Sequence, residues 1–324
     1  MNAQLHRLRP LLIAASLGLA ATVHAQGYPS KPIRFVVASQ PGGLADMTPR
    51  LMAPKLQEAL GQPIVIENRP AGGIVSGGET VAKAAPDGYT LLSVTPQVAI
   101  VQSMVKELSF DPRRDLAPVS LVGIVPNTVI VGPKTQVKSL AELVAYAKAN
   151  PGKLSYSSTG SGTSVHLAAE LFKHYAGVDI IHVPFKGAAA ATTALISGTV
   201  DMSVETLSSA SSHVRSGKVR ILAVFTPQRV PVIPDVPTLM ESGYKELEMN
   251  GWAGVVTTAK TPADVVARLD TEIAKALADR PTAASYDKVG LIVRHLNAPA
   301  FGRFWDDEIN RFGLAIKLTS AAKD

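Results

Sequence analysis

Apolar runs of strand length alternate along the chain with runs whose apolar residues return every third or fourth position, and this alternation predicts an α/β fold. Ile33 to Ala38 reads as a buried strand, and Leu51 to Leu60 as a helix closed by Gly61 and kinked at Pro54. Ile64 to Glu67 is a second strand, and Asn68 to Gly78 reads as a glycine-rich connection. Glu79 to Ala84 is a short helix, Pro86-Asp87-Gly88 a turn, and Thr90 to Val94 a third strand. This order predicts a parallel sheet with helices on both faces.

The same rhythm resumes further on. Thr128 to Val131 is a strand. Ser139 and Glu142 form a capping box before the helix Leu140 to Ala149. The strands Leu154 to Ser157, Ile180 to Val183 and Val200 to Val204 alternate with the helices Ser164 to Ala176 and Ala188 to Ser197, which end at Gly177 and Gly198. Ile221 to Phe225 closes this block, and a proline-rich passage from Pro227 to Pro237 leads to the strand Gly251 to Val256. Two helices follow, Ala263 to Ala278 and Ala298 to Phe312, and the aromatic residues of the second recur at core spacing. The chain leaves the first block near Gly123 to Pro126 and returns near Asn250 to Trp252. The expected architecture is therefore two α/β lobes joined by two crossings with a ligand cleft between them, residues 26–124 with 252–324 in one lobe and 125–251 in the other.

Residues 1–25 stand apart from this pattern. Arg7 and Arg9, the apolar run Leu11 to Val23 and the small-residue site Val23-His24-Ala25 read as a cleaved secretory signal peptide, so an exported protein is expected. Without Arg7 and Arg9 the chain keeps 30 basic against 26 acidic residues, a net charge of +4. The basic residues are scattered and not interleaved with aromatics, which argues against nucleic-acid binding. With no cysteine, disulfides and thiolate metal sites are excluded.

Candidate chemistry lies where strands hand over to helices. Gln40-Pro41-Gly42-Gly43 follows the first strand, at the end where open α/β sheets hold ligands. Its bare backbone and the positive end of the next helix suit a carboxylate or phosphate, although an ordinary turn uses glycine too. Pro49 predicts a helix that starts a turn late, with Asp46 as its N-cap. A second loop of the same kind, Thr159-Gly160-Ser161-Gly162-Thr163-Ser164, adds neutral hydroxyl donors from the other lobe. Glu205, at another strand end, reads equally as a ligand acceptor or as a solvated carboxylate. Neither loop has the spacing of a P-loop or of a nucleophile elbow, so an enzyme is not expected. His166 and His174, about 12 Å apart on one helix, are too far apart to share a metal ion. His166 could instead orient the loop hydroxyls. No cofactor is expected.

Across nearly the whole mature chain the motifs resemble the substrate-binding receptors of tripartite tricarboxylate transporters, the Bug proteins. The resemblance rests on Pro41-Gly42-Gly43 with Asp46 and Arg50, Glu67-Asn68-Arg69-Pro70, Ala85-Pro86-Asp87-Gly88-Tyr89-Thr90, His166-Leu167-Ala168-Ala169-Glu170, His182-Val183-Pro184-Phe185-Lys186-Gly187 and Pro234-Asp235-Val236-Pro237-Thr238. It implies a periplasmic-binding-protein-like fold that closes on a small carboxylate (a dicarboxylate, an amino acid or an aromatic acid) and hands it to membrane transporter subunits, or in some relatives signals its presence. It also implies a periplasmic location, and it adds Thr95 and Phe185 to the binding residues; a monomer is expected, with the number of chains per particle left open by the sequence. The chain departs from the family at Ala38-Ser39-Gln40, at Pro49 and at Glu205, where an aspartate is common. The far end of the ligand therefore cannot be copied from a relative. A periplasmic hydrolase remains the enzymatic alternative.

Overall fold

The computed structural model describes residues 27–105, 107–245 and 247–318. The signal-peptide assignment lies outside the described residues. The first lobe contains β1 (Ile33–Val37), α1 (Leu44–Leu60), β2 (Ile64–Asn68), α2 (Gly73–Ala82), β3 (Thr90–Val94), α3 (Gln97–Met104), α4 (Pro112–Asp115) and β4 (Leu116–Val125). The second contains β5 (Asn127–Val131), α5 (Leu140–Ala149), β6 (Ser155–Ser158), α6 (Ser164–Ala176), β7 (Ile181–Pro184), α7 (Ala188–Ser197), β8 (Met202–Thr206), α8 (Leu207–Arg215) and β9 (Arg220–Val224). The chain then returns to the first lobe with β10 (Gly251–Thr258), α9 (Ala263–Ala278), α10 (Arg280–Lys288), β11 (Ile292–Leu296) and α11 (Ala298–Leu318).

Both sheets are mixed, where the element order predicts parallel ones. The first runs β11-β4-β10-β3-β1-β2, with β1, β2 and β3 parallel but β10 antiparallel to both β3 and β4. The second runs β7-β6-β8-β5-β9, with β5 antiparallel to β8 and β9. The cause is the pair of crossings: β4 carries the chain out of the first lobe and β10 brings it back beside β4, so the two must run in opposite directions. Asn127 and Asn250 tie the crossings together. Asn127 donates from its backbone NH to Asn250 Oδ1 (3.2 Å) and from Nδ2 to the Met249 carbonyl (2.9 Å).

Two helices differ from expectation. The glycine-rich stretch before Glu79 is a loop only as far as Gly72, because α2 starts at Gly73. Gly77 and Gly78 answer close packing rather than a turn: a Cβ on Gly77 would lie 2.5 Å from Ala38 Cβ, and one on Gly78 would lie 2.2 Å from Phe110 Cζ. In α1, Gly43 is the N-cap, not Asp46, and Pro49 lies inside the helix.

The main hydrophobic cluster runs through both lobes. α11 packs on α3 and β4 of the first lobe and reaches α6 of the second, joining Phe312, Ala315 and Ile316 to the cluster that holds Leu167, Leu171 and Phe172. Trp252 meets Phe301, Phe304 and Trp305 edge-on and donates from Nε1 to the buried Glu308 (2.8 Å). Burial pushes the Glu308 carboxyl up to about 7, against the Arg311 charge and the Trp252 hydrogen bond. A carboxyl raised in this way adds stability that is complete below its unfolded range and is lost as pH rises through about 7. The protein is expected to lose roughly 2 kcal/mol from this group between about pH 5 and about pH 8. Glu308→Gln, which keeps an acceptor for Trp252, should flatten that slope in urea unfolding at the two pH values. An unchanged slope would mean that the group stays ionised beside Arg311.

Candidate functional site

Between the lobes lies a cleft of about 640 Å³. Four helices start at its walls, each directly after a strand. α1 follows β1 with Gly43 as N-cap, and α3 follows β3 with Pro96 as N-cap. From the other side α6 follows β6 with Thr163 as N-cap, and α8 follows β8 with Thr206 as N-cap. The first-turn amides of a helix have no partner within it, so the N-termini of α1 and α6, whose residues line one cleft, present donors and partial positive charge to the same space. None of the described residues lining the cleft is Asp, Glu, Lys, Arg or His. Backbone dipoles and hydroxyls thus set its electrostatics, and Leu44, Met47, Pro96, Val125 and Val289 add apolar surface.

Of the residues expected from sequence, Gly42, Gly43, Thr95, Thr159, Ser161, Thr163 and Ser164 line this cleft. Gln40 and Pro41 are exposed and do not. Gly160 does not line it either; its NH and carbonyl both engage Ser158 Oγ at 3.3 Å, which bends the loop. Phe185 packs on the second lobe's own hydrophobic cluster, and its NH donates to the Ser158 carbonyl (3.1 Å).

Both expected carboxylates stand behind the wall. Asp46 is buried and accepts from the Gly42 NH (2.9 Å), Arg50 Nε (2.9 Å) and Asn68 Nδ2 (2.8 Å). Burial opposes its charge, yet the bonds from Arg50, Gly42 and Asn68 together outweigh that cost and hold the carboxyl below its usual range. The Gly42 amide is therefore already occupied by Asp46, and the loop keeps its shape through this bond. Glu205 is neither solvated nor in the cleft. It is fully buried and accepts from Thr192 (2.8 and 2.9 Å), Ser203 (3.3 Å) and Ser209 (3.2 Å). Burial raises its carboxyl, and the three hydroxyls offset this only in part.

Sequence reasoning missed the wall made by Thr206 and Ser208 at the start of α8, and Pro96 and Gln97 at the start of α3. For α8 the signal was present: Thr206 caps Ser209 three residues on, directly after a strand. It also missed Ser39, Ala45 and Gly251, and it left out Gly162 although the loop around it was recognised.

Two mixed α/β lobes, two adjacent crossings and a cleft ringed by helix N-termini define a solute-binding protein. The chain belongs to the tripartite tricarboxylate transporter receptor family, whose model matches residues 48–320. It is 34% identical to the protein BugT of Bordetella pertussis over 312 residues, 96% of each chain. Among solved structures it is similar to R. palustris Rpa4515 with adipate (32% identity, TM-score 0.75, 90% of this chain and 98% of that one). It is also similar to MatC from Rhodopseudomonas palustris with bound malate (28% identity, TM-score 0.71, 89% and 100%).

Proposed function

We propose that this chain is a periplasmic receptor that captures a small carboxylic acid between its lobes and presents it to a tripartite membrane transporter. The observation that carries this reading is the convergence of helix N-termini from both lobes on a cleft that holds no ionisable side chain among the described residues. A carboxylate there gains amide and hydroxyl hydrogen bonds without a counter-ion. Contacts from both lobes to one ligand supply the differential affinity that closure about Pro126 and Asn250 requires. The adipate and malate bound by the two R. palustris relatives are of the same chemical class.

The withdrawal of Asp46 and Glu205 narrows that class. An ammonium group in this cleft finds no carboxylate to answer it, so acids without an amine are favoured over amino acids. A hydrolase is disfavoured because His166 Nδ1 accepts the Gly162 NH, and because Ser158, which lies 2.8 Å from His182 Nε2, is buried and does not line the cleft. Titration calorimetry with adipate, malate, benzoate and aspartate tests the reading. At least one of the first three is expected to bind with heat while aspartate gives none. Silence from all four with folded protein, or aspartate as the tightest ligand, would overturn it.

A further inference from the structure

Beneath the second loop lies a pair of histidines that the binding site does not use directly. The His166 ring is buried and stacks on His182, with centroids 4.0 Å apart and planes at 12°. His166 reaches one glycine of the loop directly, and His182 reaches another through Ser158. His166 Nδ1 accepts the Gly162 NH at 3.0 Å. His182 Nε2 lies 2.8 Å from Ser158 Oγ, which in turn engages both the NH and the carbonyl of Gly160. Gly160 and Gly162 have φ of +135° and +73°, so the loop has a shape that other residues rarely adopt.

We propose that the neutral imidazole pair His166–His182 holds the Ser158 to Thr163 loop in its acid-receiving shape and thereby makes capture sensitive to protons. This rests on the reading of the cleft as a carboxylate site. An imidazolium carries a proton on both nitrogens, so protonated His166 meets the Gly162 NH donor to donor. A second proton on the pair sets two cations face to face at 4.0 Å. Acidification therefore releases the loop and with it the acid.

Among the described residues the ionisable groups around the pair come from β6, α6, β8, α11 and the turn after β7. Tyr156 on β6 stacks on His182 (4.8 Å) and donates from its hydroxyl to Glu170 (2.7 Å), which Lys173 also engages on α6. Lys173 lies over the Tyr156 ring (5.3 Å), and His174 follows it on the same helix. Glu205 on β8 is held by hydroxyls, Glu308 on α11 is engaged by Arg311, Lys186 after β7 is exposed, and α7 carries no ionisable side chain.

The test is nitrogen-15 NMR of the ligand-free protein, labelled at glycine and histidine and titrated between about pH 5 and pH 8. At the upper end His166 is expected to carry its proton on Nε2, and the Gly160 and Gly162 amide signals should move with the midpoint of the pair. His166→Asn, whose side-chain oxygen can replace Nδ1 as acceptor, should keep the alkaline Gly162 signal and lose its titration; His166→Ala should lose both. A proton on Nδ1 at the upper end, or glycine signals that stay fixed while the histidines titrate, would overturn the proposal. For any acid that binds in the calorimetric panel, affinity should fall about tenfold per pH unit below the midpoint in the wild type and stay flat in His166→Asn. Coupled glycine signals without binding of any acid would instead remove the carboxylate reading and leave the coupling standing.

Discussion

In the Gly290→Ala variant, acid binding is expected to weaken by about 100-fold. Gly290 ends the turn between α10 and β11 in the first lobe, with φ at +75°. A Cβ built there lies 2.0 Å from the Cβ of Ser208 and 2.8 Å from its Oγ, at the start of α8 in the second lobe. No rotamer of an added methyl relieves an overlap with a neighbouring Cβ, so the lobes must move apart. Left-handed backbone costs a residue other than glycine about 1–2 kcal/mol more, but at any lobe spacing, so that part lowers stability and not affinity. A bias of about 3 kcal/mol from the overlap against the observed spacing of the lobes corresponds to the 100-fold loss. Calorimetry with the tightest acid of the panel measures it, and small-angle scattering should show a larger radius of gyration. Adding Ser208→Gly removes the atom that the methyl strikes, so the double variant should recover most of the loss. Wild-type affinity and an unchanged scattering profile in Gly290→Ala would show that this contact does not set the spacing.

The second large effect is expected at Asp46. Asp46→Ala leaves the Gly42 NH and the Asn68 amide facing a void, while the more exposed Arg50 turns to water. Stability should fall by about 3 kcal/mol, the usual consequence of removing one member of a buried charged network. Affinity should fall with it, because the Gln40 to Gly43 loop loses the bond that shapes it. Asp46→Asn preserves the outline and should lie between the two. The carboxyl is held below its unfolded range, so its stabilisation is present above that range and is lost as pH falls through the native value. Urea unfolding of the three proteins at neutral pH decides the matter, and a change under about 1 kcal/mol in Asp46→Ala would contradict this account.

Much of this was legible in the chain because it depends on local rules. α6, α7 and α9 begin and end where caps, Gly177, Gly198 and the apolar period place them. The two glycine loops were legible at their strand ends by the same local rules. What failed was governed by contacts distant in sequence. Gly77 and Gly78 look like a loop until Ala38 and Phe110 occupy the space that their side chains would need. The start of α1 was misplaced because the Pro49 penalty was weighed without the Arg50 and Asn68 bonds that fix Asp46 in the first turn. Glu205 invited a ligand role, but Thr192 on α7 takes its carboxylate. Sheet direction was lost for a topological reason, since nothing local in β10 says that it returns beside β4.

The position of α11 has a kinetic consequence. It is the last of the described elements and leans on both halves at once. During synthesis neither half can complete its packing until about the final twenty residues of that helix have emerged. A chain shortened ahead of Ala298 should accordingly remain a loose, protease-sensitive polymer rather than yield one finished half.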